Sequence, residues 1–180
     1  MSGSPITIEY ALLGFLFRQP RHGYEIYQQL LAGDGLGLVW RLKQSQLYAL
    51  LTKLEQRGFI SATLEPQNAR PPRKVLQLTI AGRKAFLDWL RAPVPQGRQM
   101  RMEFMAKLHF ARQLEPAGAV SLIDGQRNIC REWLAALQHR ADALAAECPF
   151  EWLVYQFRIG QVEAMVNWLD VCEQALVAAV

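Results

Sequence analysis

The stretch QSQLYALLTKLEQRGFI, Gln44 to Ile60, carries leucines at a helical spacing with Gln, Ser, Tyr, Thr and Lys between them. Leu47, Leu50, Leu51 and Leu54 follow the i, i+3, i+4, i+7 rule, which predicts a helix with that face buried. Ser45 is the expected N-cap, and Gly58 stands where a left-handed residue would end the helix. With each residue turned by about 100° from the last, Ser45, Ala49, Thr52 and Gln56 point away from the leucines. Tyr48 lies on one flank of that polar face, with Gln46 and Lys53 on the other. Such a face meets either water or a partner, and its surroundings in the chain decide which.

Upstream, Ile6 to Phe17 is almost wholly apolar apart from Thr7, Glu9 and Gly14, which predicts a helix covered on most sides. Pro20 ends it. His22–Gly33, HGYEIYQQLLAG, reads as a second helix with Ile26, Leu30 and Leu31 inward, followed by a flexible bend, GDGLGL, and Trp40. Downstream, FISATLE (Phe59–Glu65) and RKVLQLT (Arg73–Thr79) read as two strands of a hairpin. Between them PQNARPPR is expected to be a loop, too rich in proline for regular structure. The tip carries Arg70, Arg73 and Lys74 with no acid from Pro66 to Lys74, and Thr79 can cap a further helix.

Helix, helix, helix, hairpin, helix is the order of a winged helix-turn-helix. The expected fold is therefore mainly α: an N-terminal winged helix-turn-helix with a two-stranded wing, and a C-terminal all-helical domain. The linker PVPQG (Pro93–Gly97) sets the boundary, giving domains 1–92 and 93–180. Charge changes sign there too. Residues 1–91 hold twelve Lys/Arg against six Asp/Glu, and residues 92–180 eight against ten. A basic first half suits a polyanion, and the second half has another task.

After the linker, helices are expected at Arg101–Gln113, from Pro116 to Ala146, and from Phe150 onward. The last has a narrow polar stripe, Gln156, Glu163, Asn167, Asp170 and Gln174, and is apolar over most of its remaining circumference. One neighbour covers about a third of a helix, so a second copy of the chain is expected on another side, at Phe157, Met165, Trp168, Leu169 and Cys172.

A helix-turn-helix lays its second helix in the major groove of duplex DNA, where Gln, Ser and Thr can bond base edges and Tyr a phosphate. The candidate DNA contacts are accordingly Gln44, Ser45, Gln46, Tyr48, Thr52 and Lys53, with Arg70, Arg73 and Lys74 of the wing neutralising phosphates. A protein-interaction module built on the same winged helix, without DNA, is the alternative reading.

The remaining residues offer little chemistry. Cys130, Cys148 and Cys172 lack metal-ligand or disulfide spacing and read as buried, reduced thiols. His22, His109 and His139 are scattered, Glu9, Glu25 and Asp34 form no acid/base pair, and GDGLG follows no strand. No enzyme, metal or cofactor is expected. The N-terminus lacks a signal-peptide layout and no apolar run approaches a membrane span, so a cytoplasmic protein is expected. Trp133, Trp152, Trp168, Phe104, Phe110, Met102, Met105 and Met165 suit either ordinary packing or a pocket for a small aromatic effector.

ALLGFLFRQPRHGYEIYQQL, SQLYALLTKLEQRGFI, PPRKVLQLTIAGRKAFLDWL and MEFMAKLHFARQLEP together resemble the PadR family of bacterial transcriptional regulators over about the first 115 residues. The length after the linker resembles the long-tailed branch of that family, and LEPQ with RKV leans towards its AphA-like group. The resemblance implies a homodimer joined by the C-terminal helices, two winged helices on a pseudo-palindromic operator, and DNA contacts from Tyr48 and its neighbours and from Arg70, Arg73 and Lys74. Repression is common in the family, and some members answer to phenolic acids or drugs. Leu76 departs from a tyrosine found in many relatives, which leaves the fold unaffected.

Overall fold

A computed structural model describes residues 8–67, 70–144 and 149–177. Among these, two compact units separate: the chain up to Arg91 together with Gln99–Ala111, and Ala92–Arg98 together with the chain from Arg112. The expected boundary at 92/93 put Gln99–Ala111 with the second unit. It packs into the first because Phe104, Phe110 and Ala111 are buried there. Phe110 sits edge-on to both Phe15 and Phe86, with ring centroids 5.5 and 5.7 Å apart.

In the first unit a 3-10 turn, Ile8–Tyr10, leads into α1 (Ala11–Phe15). Leu12 and Leu13 are fully buried. The helix ends two residues before the expected Phe17. There the Phe15 carbonyl accepts the Arg21 Nε–H at 2.9 Å instead of a further helical N–H. β1 (Arg21–His22) and α2 (Gly23–Leu31) follow, and the expected flexible bend holds a 3-10 turn, Gly35–Leu38, that buries Leu36. Leu31, expected inward, is exposed, while Ile26 and Leu30 are buried.

α3 (Gln44–Gln56) buries Leu47, Leu51 and Leu54 as its spacing requires, while Leu50, expected on the same face, is half-buried. Its cap differs from expectation. Lys43 takes the N-cap position, because the Gln46 side chain turns back to accept the Lys43 N–H at 3.0 Å. Gly58, with φ of +71°, closes the helix as expected.

β2 (Ile60–Gln67) and β3 (Arg70–Leu78) form the wing, longer than expected at both inner ends. Strand structure runs through Pro66, Pro71 and Pro72, which were expected to break it. Each proline falls where a missing N–H is tolerated. Pro66 lies at the register shift between Glu65 and Gln67 on an edge strand, and Pro71 and Pro72 lie beyond the two residues of β3 that pair with β1. The sheet has three strands, order β1-β3-β2, rather than two: Arg21 and His22 pair antiparallel with Leu76 and Val75.

Thr79 caps α4 (Ile80–Arg91), its Oγ1 accepting the Gly82 N–H at 2.9 Å. A short turn α5 (Gly97–Gln99), a π-helical turn (Met100–Phe104) and α6 (Met105–Leu114) begin earlier than the expected Arg101. The π turn carries a buried polar network. Glu103 accepts the Trp89 Nε1–H at 2.9 Å and the Gln99 Nε2–H at 3.1 Å, and the Lys107 Nζ lies 3.7 Å away.

The second unit pairs α7 (Pro116–Leu144) with α8 (Pro149–Val177). Their antiparallel register is fixed by Arg127 of α7, which donates to Asp170 at 2.8 Å and to Glu173 of α8, and to Asp124 on its own helix at 2.5 Å. Gln126, fully buried, straps the linker to α7: its Oε1 accepts the Val94 N–H at 2.7 Å and its Nε2 donates to the Val94 carbonyl at 3.2 Å. No helix among the described residues is long and apolar enough to cross a membrane.

Candidate nucleic-acid interface

With its leucines turned inward, α3 exposes Gln44, Ser45, Gln46, Tyr48, Ala49, Thr52, Lys53 and Gln56. Tyr48 rests against the first turn of α2, where a Cβ on Gly23 would come within 3.0 Å of the ring. Between α3, the start of α2 and β3 runs a groove of about 370 Å³. Tyr48, Thr52 and Glu55 line it from one side, Arg73 and Lys74 from another, and His22 and Tyr24 from the third. Four of the expected contacts, Tyr48, Thr52, Arg73 and Lys74, therefore share one surface.

The others are placed differently. Gln44 and Ser45 are exposed in the first turn of α3, away from the groove lining. Gln46 is exposed too, but its Oε1 is engaged at the N-cap, which leaves its amide donors. Lys53 sits on the opposite flank, its Nζ 2.8 Å from Glu9. Glu9 also holds Arg57 at 3.2 Å. Lys74 is likewise paired, 2.6 Å from Glu55. Two of the expected DNA contacts, Lys53 and Lys74, thus carry an acid of their own. Arg73 is exposed with no ionic or hydrogen-bonded side-chain partner among the described residues. Arg70 lies in β3 opposite Gln67; its side chain falls outside the described residues.

Three exposed groups escaped the sequence reading. Arg41 and Lys43 precede α3 and, like Arg73, have no side-chain partner among the described residues. The signal was present: WRLK puts two cations immediately before a helix whose N-terminus would enter the groove. Tyr24 is 55% exposed at the first turn of α2, its hydroxyl accepting the Gln28 Nε2–H at 2.6 Å.

Of the residues expected to join a second copy, Phe157 is 67% exposed, whereas Met165, Trp168 and Cys172 are half-buried. Leu169 is fully buried within its own chain and so is unavailable to a partner: the apolar side of α8 that holds it faces α7. Among the described residues no cluster of His, Cys, Asp or Glu could hold a metal ion. Burial pushes the Cys130 thiol up, and the Cys172 thiol up to about 11, so both are protonated at neutral pH. Cys148 lies outside the described residues.

Comparison with known proteins shows the family. Residues 12–88 match the transcriptional regulator PadR-like family, and residues 100–177 match the virulence activator alpha C-terminal region. The negative transcriptional regulator PadR of Bacillus subtilis is 32% identical over 173 residues, covering 91% of this chain and 94% of that protein. A probable transcriptional regulator of Mycobacterium tuberculosis is 24% identical, covering 95% and 98%. Among solved structures, B. subtilis PadR in complex with operator DNA covers 96% of this chain and 99% of its own at 27% identity, with a TM-score of 0.49. On the sequence identity and its span, the chain belongs to the PadR-like family of transcriptional regulators.

Proposed function

We propose that the protein represses transcription by binding a pseudo-palindromic operator as a homodimer, each protomer presenting α3 to the major groove and its wing to the adjacent backbone. The observation that carries this reading is the shared surface of Tyr48, Thr52 and Arg73, with the exposed cations Arg41 and Lys43 at the entrance to α3. Repression follows the relative, which is a negative regulator.

The dimer reading rests on α8. Phe150, Leu153, Phe157, Gly160, Ala164, Asn167, Val171 and Gln174 recur at alternating spacings of three and four, and every one of them is exposed. That is the period of a helix-pairing seam, with Gly160 and Ala164 allowing close approach and Asn167 favouring one register. For an effector, the groove of about 750 Å³ in the second unit is the best seat. Trp133, Leu137 and Met165 give it an apolar wall, and Arg98, Arg140 and Arg158 give it positive charge. A planar anion fits that lining.

The test is a titration of duplex DNA, selected by the protein from its host genome, at several salt concentrations. Arg41, Lys43 and Arg73 on two protomers make six phosphate contacts, eight if Arg70 joins, so the log–log salt slope should lie between about −5 and −7. A slope near zero, or no binding, would favour an interaction module instead.

A further inference from the structure

Among the described residues the wing is anchored at its base. β3 pairs with β1 at Val75 and Leu76, and beyond Val75 towards the tip β2 is its one partner strand. Lys74 is the next residue, and it is tied twice. Its carbonyl accepts the His22 Nδ1–H at 3.1 Å, and its ammonium lies 2.6 Å from Glu55 on α3. Among the described residues no tie to the helical body exists nearer the tip than Lys74. The direction of the segment that carries Arg73 is therefore set at this point.

Glu55 is otherwise hard to account for. A carboxylate lining a groove meant for phosphates repels them, and the other acid of the lining, Glu25, is already engaged in accepting the His22 N–H at 2.8 Å. We propose that Glu55 is a positioning residue for DNA reading: with Lys74 it latches the wing to the recognition helix and so sets where Arg73 meets the backbone relative to Tyr48 and Thr52. Lys74 in this arrangement is a strut and not a phosphate contact.

The inference rests on the DNA-binding reading, and two measurements keep the two apart. Glu55→Gln, Lys74→Gln, the two together, and the exchanged pair Glu55→Lys with Lys74→Glu are each titrated with a duplex selected by the wild type from a random library, from roughly 50 to 200 mM salt. Hydrogen exchange of the wing amides is followed without DNA. The latch requires each single change to weaken binding about three- to fivefold, the scale of a partly exposed ion pair. The double change should be no worse than either single one, and the exchanged pair should recover to within about twofold, with the salt slope unchanged throughout. Wing amides should exchange faster in both singles and in the double change, and at the wild-type rate in the exchanged pair.

If Lys74→Gln lowers the salt slope by about two in the dimer while Glu55→Gln tightens binding, Lys74 touches phosphate and Glu55 merely repels it. Unchanged wing exchange in both singles would overturn the latch as well. Should the wild type bind no duplex, the DNA reading falls and the exchange experiment alone decides the latch.

Discussion

Replacing Gly82 by alanine sets two opposing effects against each other, and the structure says which is larger. Gly82 is the third residue of α4, in its first turn, where alanine gains at most about 1 kcal/mol over glycine. Here a Cβ would lie 1.9 Å from the Phe59 carbonyl oxygen and 2.7 Å from its carbon, both backbone atoms. Restoring even a tight 3.0 Å contact requires α4 to retreat by about 1 Å, a strain of the kind that costs roughly 1–3 kcal/mol in packed interiors. The retreat also stretches the Thr79 N–H bond to Phe59, now 3.1 Å, and disturbs the Thr79 cap, worth about another 1 kcal/mol. The balance is a loss of about 1–3 kcal/mol. For a unit of this size it lowers Tm by about 5–20 °C. Calorimetry or circular dichroism of the variant measures it directly. An unchanged or raised Tm would show that the α4–β2 junction yields freely and that the contact of Gly82 with the Phe59 carbonyl is not a constraint on the fold.

Arg73→Ala should weaken binding to selected and random duplexes by the same factor and lower the salt slope by about two in the dimer, as gel-shift titrations will show. Thr52→Ala should instead change the preference between duplexes, by roughly 1–3 kcal/mol if Thr52 reads a base, measured by competition binding. Phe157→Asp, in the middle of the exposed seam of α8, should give monomers by light scattering and cost most of the operator affinity. Burial lowers the Lys107 ammonium to about 8 from its ordinary 10.5, against the opposing pull of Glu103. Because the unfolded chain then binds more protons between those values, the contribution of Lys107 is lost as pH falls through about 8 and grows, on the order of 3 kcal/mol, as pH rises towards 10.5. Urea denaturation across that range should show the rise in the wild type and its absence in Lys107→Met.

What the sequence revealed and what it hid divide along one physical line. Period is local, and it was legible: the leucines of α3, the alternation in β2 and β3 and the apolar breadth of α8 each show in a window of a dozen residues. Partners are not local. β1 is two residues long and has no period to detect, and its pairing with Val75 and Leu76 spans more than fifty positions. The buried charges Glu103 of the π turn and Lys107 of α6 read as surface until Trp89 and Gln99 are brought over them. On α8 the apolar residues could not say which side would face α7, so Leu169 and Phe157 looked equivalent when one is sealed and the other bare. The same limit governs the charge of the interface. Counting Lys53, Arg57 and Lys74 as free cations treats Glu9 and Glu55 as bystanders, yet those two acids pair with all three across the fold and cancel two of the three charges. A basic half-chain therefore overstates the charge it can offer to phosphate. The strength of DNA binding should follow Arg41, Lys43 and Arg73, while the paired cations govern the shape in which those three are presented.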